Sequence, residues 1–294
     1  MRFCRTIIYL VAVVVAVSVM LSSVMQSINR EDDNQRRGIL YVRLESVDQL
    51  FQDEFDCSAV PPVVYTRVVS LASLPVWKRK EAFVRIVLPS ILIAEEEIKA
   101  ERKRLVDLLE RMKLGETLTR DEAAYIKGLL KKYRTESFDE LLVRLNTHPP
   151  SIILGQAALE SGWGVSRFFV EANNIFGIWT FKRKGGLKAI NSEARLARYR
   201  DTLSAVKSYL YNINVGWAYG DFRQFRSREA EPIKLVSYLD KYSILGEQYV
   251  QRLSDVIEIN NLDRYDSCRL ASLSDYKEKK AGDTLLRRLL QLFD

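Results

Sequence analysis

Histidine is almost missing from this chain of 294 residues. There is one, His148, and there are three cysteines, Cys4, Cys57 and Cys268. So few soft donors exclude a sequence-local zinc knuckle. No Asp-rich loop of the EF-hand kind occurs either. No metal and no cofactor is therefore expected. A Ser-His-Asp triad would have to use His148, which stands before Pro149-Pro150 and reads as a junction between helices. Charge of one sign is not concentrated: 45 Lys and Arg against 38 Asp and Glu leave +7, spread along the chain. That excess suits solubility beside an anionic polymer or membrane face. With no recognised nucleic-acid-binding motif, it excludes nucleic acid as a partner.

What is present is a core-forming composition. Hydrophobic residues make up 47% and charged residues 28%, which fits a globular protein of one large or two small domains. Arg2 and Arg5 precede an apolar run that begins at Ile7, which reads as an export signal. Counted to Met25 the run has 19 residues, near spanning length. No A-x-A site follows it, so residues 1–28 are expected to be a retained signal-anchor. The partner of residues 7–25 would be the inner membrane, with the bulk of the chain facing the periplasm. A cleaved signal peptide would instead leave a periplasmic protein. Export permits disulfides. For Cys57 and Cys268, a bridge and two unpaired thiols both remain open.

The rest is expected to be mainly α with a small β-hairpin. A helical extension covers 29–134, a domain 135–270 and a tail 271–294. Ser46-x-x-Gln49, Thr119-x-x-Glu122 and Ser137-x-x-Glu140 are capping signals. Apolar residues at 3.6 spacing (Phe83, Ile86, Val87, Ile91, Ala94) predict a long helix from Pro75 to Met112, kinked or split at Pro89. Short helices are expected at 151–160 and 166–172. Gly185-Gly186 marks a hairpin turn between 180 and 199. Helices return at 202–212, 233–241 and 247–260. Asp283–Phe293 reads as a basic amphipathic helix that packs on the body or touches a membrane surface.

The chemistry centres on Ser151 to Glu160. Almost every residue there is small or apolar, so the helix is expected to be buried. Glu160 ends it. The partial negative charge of a helix C-terminus and apolar surroundings both raise a carboxyl pKa, as a general acid near neutral pH requires. Gly162 and Gly164 allow a sharp turn, and Trp163 offers a flat face to a sugar ring. The plainer reading of Glu160 is a capping or salt-bridged residue.

Two blocks carry a resemblance. Gln156-Ala157-Ala158-Leu159-Glu160-Ser161-Gly162-Trp163-Gly164 is followed by Glu171-Ala172-Asn173-Asn174-Ile175-Phe176-Gly177-Ile178-Trp179. In order and spacing they resemble the signature of glycoside hydrolase family 73, the bacterial β-N-acetylglucosaminidases, and most of all its Bax-type members. Arg198-Tyr199-Arg200-Asp201 and Ser208-Tyr209-x-x-Asn212-Ile213-Asn214 also match, with Ala205 standing where a serine is usual. The resemblance covers roughly 135–266. It implies a lysozyme-like helical lobe that hydrolyses the GlcNAc–MurNAc bond of peptidoglycan, whose glycan strands are the expected partner. Glu160 matches the general acid, and Glu193 in the hairpin the second carboxylate. Tyr242 is favoured over Tyr249 as the active-site tyrosine, the plainer role of Tyr249 being core packing. Trp163, Asn174, Phe176, Trp179 and Tyr199 are the expected substrate-binding residues. A lytic transglycosylase and a non-catalytic envelope glycan-binding or scaffold protein are the alternatives.

Overall fold

The computed structural model describes residues 38–180, 186–188, 195–228 and 231–290, without the side chains of 279 and 283–290. The apolar run 7–25 lies outside the described residues. Among the described residues no helix is long and apolar enough to cross a membrane.

Residues 41–271 form one compact unit, and 38–40 and 272–290 belong to a second. The first unit begins with a two-stranded sheet of β1 (Leu40–Arg43) and β2 (Val63–Arg67). Ser46 and Gln49 form the reciprocal capping box, but it opens only a short 3-10 turn, Val47–Phe51. Helix α1 (Val76–Lys113) follows, 38 residues long. It is continuous through Pro89, so the helix is not split there. Proline removes one backbone hydrogen bond and costs about 3 kcal/mol. Phe83, Ile86, Val87 and Ile91 around it are fully buried. At about 1.5–3 kcal/mol for each such side chain, their burial outweighs that loss.

The second half of α1 packs on α2 (Arg120–Lys132) and α3 (Phe138–Arg144) through Leu105, Leu109, Ile126, Leu129, Leu141 and Leu145. Thr119 and Glu122 cap α2 reciprocally, and Ser137 accepts from the Glu140 N–H to open α3.

Helix α4 (Pro150–Ser161) is the central element. Pro150 at its first position needs no N–H partner, and Gly162 ends it at φ 59°. Its residues 150–158 are all buried or nearly so, as a helix apolar on every side must be. It contacts α1, α9 (Glu247–Ile259) and the turn Leu262–Tyr265.

Short α5 (Arg167–Ala172) leads into a three-stranded antiparallel sheet rather than a simple hairpin. Strands β3 (Trp179–Thr180), β4 (Gly186–Lys188) and β5 (Arg195–Ala197) lie in the order β3-β5-β4. Leu196 is the partner of both Trp179 and Leu187. Asp201 caps α6 (Thr202–Val215) by accepting from the Ser204 N–H at 2.6 Å. Then come α7 (Gly220–Arg226) and α8 (Pro232–Val236), which passes directly into the 3-10 turn Ser237–Tyr242.

Cys57 and Cys268 are joined as a disulfide with Cα atoms 4.6 Å apart, which resolves the two readings left open by the sequence. Backbone bonds reinforce it: Val60 N–H donates to Arg269 at 2.8 Å, and Ala271 N–H donates to Val60 at 2.9 Å. In the second unit, α10 (Leu273–Leu290) is helical throughout. The apolar face expected on Asp283–Phe293 lies outside the described side chains.

Candidate active site

Glu160 occupies the last turn of α4, with Gln156 one turn earlier on the same face. The Glu160 residue is open to solvent on one side. Protein crowds its carboxyl on the others. A Cβ added to Gly177 would stand 3.5 Å from Glu160 Oε2, so the backbone of the Asn-Asn-Ile-Phe-Gly turn closes over that oxygen. The Tyr249 hydroxyl is close enough to act on the carboxyl as a hydrogen-bond donor, and Tyr219 and Tyr242 are near enough to interact with it electrostatically. Loss of hydration raises the Glu160 pKa, and the Tyr249 hydrogen bond offsets part of that rise. A carboxyl that is hard to ionise yet reachable from solvent can deliver a proton to a leaving group.

The tyrosine bonded to Glu160 is thus Tyr249. Tyr242 stacks on the Tyr249 ring, with centroids 5.3 Å apart, and holds it from behind. Burial pushes the hydroxyls of Tyr242 and Tyr249 well above the ordinary phenol range, with Glu160 adding to the effect. Both therefore act as neutral donors. Tyr249 lies on the stripe Tyr249, Leu253, Ile257 that faces α4, which is why its sequence context reads as core.

The expected substrate-binding residues separate. Trp179 is 57% exposed on β3 and free to meet a ligand. Phe176 is buried, stacked on Tyr209 at 4.2 Å, and supports the site from beneath. Trp163 packs against α1. Residue 163 takes a left-handed conformation, φ 57°, that turns the indole onto α1. There it meets Phe83 edge-on at 5.6 Å and Lys80 Nζ at 5.2 Å. Asn174 is also not a ligand contact. Its Nδ2 donates to the Ile178 and Ala197 carbonyls at 2.9 Å each, and its Oδ1 accepts from the Ile178 N–H at 3.0 Å. Asn174 clamps the turn to β5 with every polar atom in use. Tyr199 donates its hydroxyl to Ser208 Oγ at 2.9 Å. It lines a polar cavity of about 540 Å³ with Arg43, Arg67 and Arg198. Glu193 lies outside the described residues.

Residues that the sequence did not single out complete the surroundings. Gln156 Nε2 donates to the Tyr249 hydroxyl at 3.0 Å. Trp217, two residues before Tyr219, is 88% exposed. The spacing of four between Gln156 and Glu160 is a signal that could have found the first. A tryptophan beside Gly216 is too weak a pattern to have found the second.

Residues 136–262 match the glucosaminidase family model, described as mannosyl-glycoprotein endo-beta-N-acetylglucosaminidase. Protein bax of Escherichia coli (strain K12) is 29% identical over 188 residues, which are 58% of this chain and 66% of that protein. The chain thus spans just under two thirds of that relative. The catalytic domain of the autolysin Auto from Listeria monocytogenes aligns at 19% identity and a TM-score of 0.37, over 66% of this chain and 90% of that one. Both signature blocks, 156–164 and 171–179, fall within the matched residues, so residues 136–262 are similar to the glucosaminidase family and to the Bax protein, in line with the resemblance to the glycoside hydrolase family 73 group.

Proposed function

We propose that this protein is a peptidoglycan hydrolase of the cell envelope, an endo-β-N-acetylglucosaminidase that cleaves GlcNAc–MurNAc bonds with Glu160 as general acid. The observation that carries the proposal is the Glu160 carboxyl. Its pKa is raised by desolvation, it takes a hydrogen bond from Tyr249, and it keeps one side open. In this reading Glu160 protonates the glycosidic oxygen as the sugar gains oxocarbenium character. Water or the substrate's 2-acetamido oxygen attacks the opposite face, and Glu193 is the proposed second carboxylate. A separation beyond about 6.5 Å between the two carboxyls would favour direct water attack with inversion. Trp179 is the proposed sugar platform on the sheet side. The proposed anchor at residues 7–25 would hold the domain against the wall from the inner membrane.

Mass analysis of muropeptides released from purified wall tests this. The wild type should create new reducing GlcNAc ends, and Glu160→Gln should fold normally and release none. Anhydro-muramic ends would reassign the protein as a lytic transglycosylase. Wall binding with no released fragments would reassign it as a binding protein.

A further inference from the structure

Behind Tyr249 the buried polar groups form a single line. Gln156 Nε2 donates to the Tyr249 hydroxyl at 3.0 Å. Gln156 Oε1 accepts a short hydrogen bond from the Tyr209 hydroxyl. Tyr209 Oη in turn lies 2.9 Å from His148 Nε2. Gln156, Tyr209 and His148 are 0%, 1% and 3% exposed, so water does not substitute for any link. We infer that His148, Tyr209, Gln156 and Tyr249 form a one-way hydrogen-bond chain that orients the Glu160 carboxyl and fixes which of its oxygens carries the acid proton.

The direction follows from counting protons. The Gln156 amide is the one link with chemically different ends, and its donor end faces Tyr249. A hydroxyl that accepts from Gln156 has its proton free to give onward, to Glu160. At the other end the Tyr209 proton is spent on Gln156 Oε1, so the proton between Tyr209 and the imidazole belongs to His148 Nε2. His148 is then the neutral Nε2–H tautomer. Burial, and secondarily the Arg226 guanidinium, push its pKa well below the ordinary histidine range and keep it neutral.

The opposite direction is disfavoured at both ends. It would place the imidazole proton on Nδ1, which is buried without a partner. A buried N–H without an acceptor is among the costliest defects of a protein interior, whereas a bare ring lone pair is milder. It would also turn a Tyr249 lone pair toward the Glu160 carboxylate. In the favoured direction every O–H and N–H points toward Glu160, and each bond polarises the next.

The consequence for catalysis rests on the proposed role of Glu160 as general acid. The oxygen bound by Tyr249 is always an acceptor, so the transferable proton resides on the other oxygen. The groups facing this carboxyl are Tyr249 from α9, Tyr219 from the turn before α7 and Tyr242 from the turn after α8. His148 and Tyr209 are faced by Arg226 from α7. Gln156, Tyr209 and His148 are positioning residues: their side-chain polar groups act on the Glu160 carboxyl through Tyr249.

Because His148 is the sole histidine, its ring nitrogens assign themselves in a ¹⁵N spectrum of the full chain. The expected result is a neutral ring protonated at Nε2 throughout pH 5–8. A protonated Nδ1, in either the other tautomer or the imidazolium, overturns the chain. A second measurement follows the ¹³C carboxyl titration of Glu160 in the wild type, Gln156→Met, Tyr249→Phe and the double variant. Each single change should raise the Glu160 pKa by about half a unit. The double variant should move it no further than Tyr249→Phe alone. No shift in a folded Gln156→Met protein, or additive shifts in the double variant, overturns the chain. Neither measurement depends on turnover. Failure of the hydrolase reading shows separately, as a wild type inactive on wall or a Glu160→Gln variant that stays active.

Discussion

Gly155 leaves the space that Leu253 fills: a Cβ on residue 155 would lie 2.8 Å from Leu253 Cδ1 and 3.0 Å from Ile257 Cγ1. The two helices that carry Glu160 and Tyr249 therefore meet at van der Waals contact one residue from Gln156. Gly155→Ala gains helix propensity, up to about 1 kcal/mol. It also forces α9 outward, and overpacking of a tight core costs about 1–3 kcal/mol. The expected net effect is a loss of stability, read as a lower denaturant midpoint. The same displacement draws the Tyr249 hydroxyl from Glu160, so kcat on solubilised glycan should fall more than KM changes. A variant of unchanged kcat would show that the α4–α9 spacing does not matter to the site.

Tyr249→Phe isolates the hydrogen bond from the packing. The ring stays stacked on Tyr242, and only the donor to Glu160 is lost. That donor stabilises the carboxylate, so its removal raises the Glu160 pKa further. An acid must be protonated to act, so the alkaline limb of the kcat/KM profile should move to higher pH, by about half a unit. Activity at neutral pH should still drop about tenfold, because the carboxyl loses its orientation. A limb that moved to lower pH would contradict the assigned direction of this bond.

Much of this site was legible in the sequence, and the illegible parts share a cause. Helix α4 was visible because Pro149-Pro150 marks a helix start and the residues after it are mostly small or apolar and without β-branched runs beyond Ile152-Ile153. Glu160 was visible because the run ends in a carboxylate followed by glycines. Tyr249 was not, since a tyrosine at i with Leu253 and Ile257 at i+4 and i+8 makes the same stripe whether its hydroxyl is solvated or bound to an acid. Trp163 misled for a related reason: composition shows an aromatic beside the acid, but only the positive φ decides which way the ring points. Asn174 has the chemistry of a sugar ligand; two of its three backbone bonds close the local turn at Ile178, and the third depends on Ala197 in β5, 23 residues away. Pro89 reads as a possible break locally, and the burial around it keeps the helix from splitting.

The Cys57–Cys268 bridge spans 211 residues and ties the start of the main unit to its end. A loop of that length restricts the unfolded chain strongly, and the chain-entropy model puts the stabilisation near about 5 kcal/mol. Strain and residual structure usually reduce the figure, so the double change Cys57→Ser, Cys268→Ser should cost about 2–4 kcal/mol in equilibrium unfolding. The backbone bonds between Val60, Arg269 and Ala271 remain, so the variant should fold and retain hydrolysis at low temperature. Equal unfolding midpoints of wild type and variant, with the bridge verified by mass in the former, would refute the contribution.

Asp266 offers a test in which pH sets the sign. Its carboxyl accepts from the Ser151 N–H at 2.7 Å and from the Ser151 hydroxyl at 2.8 Å, and so caps α4 from outside the helix. Desolvation nevertheless raises its pKa to about 6, against the lowering effect of both bonds. The folded protein therefore holds a proton that the unfolded chain releases near pH 3.8–3.9. The resulting contribution to stability is fully present below the unfolded value, falls as pH rises toward about 6, and changes little above it. Asp266→Asn keeps an acceptor for the Ser151 N–H and cannot titrate. Subtracting its unfolding free energy from that of the wild type at each pH cancels the other carboxylates. The difference should fall between pH 4 and 6.5 and then level off. Asp266 is partly solvated, so the fall should be about 1 kcal/mol rather than the full value of the shift. A difference that rises over this range would mean that the hydrogen bonds from Ser151 outweigh desolvation, and that Asp266 caps α4 as a true anion.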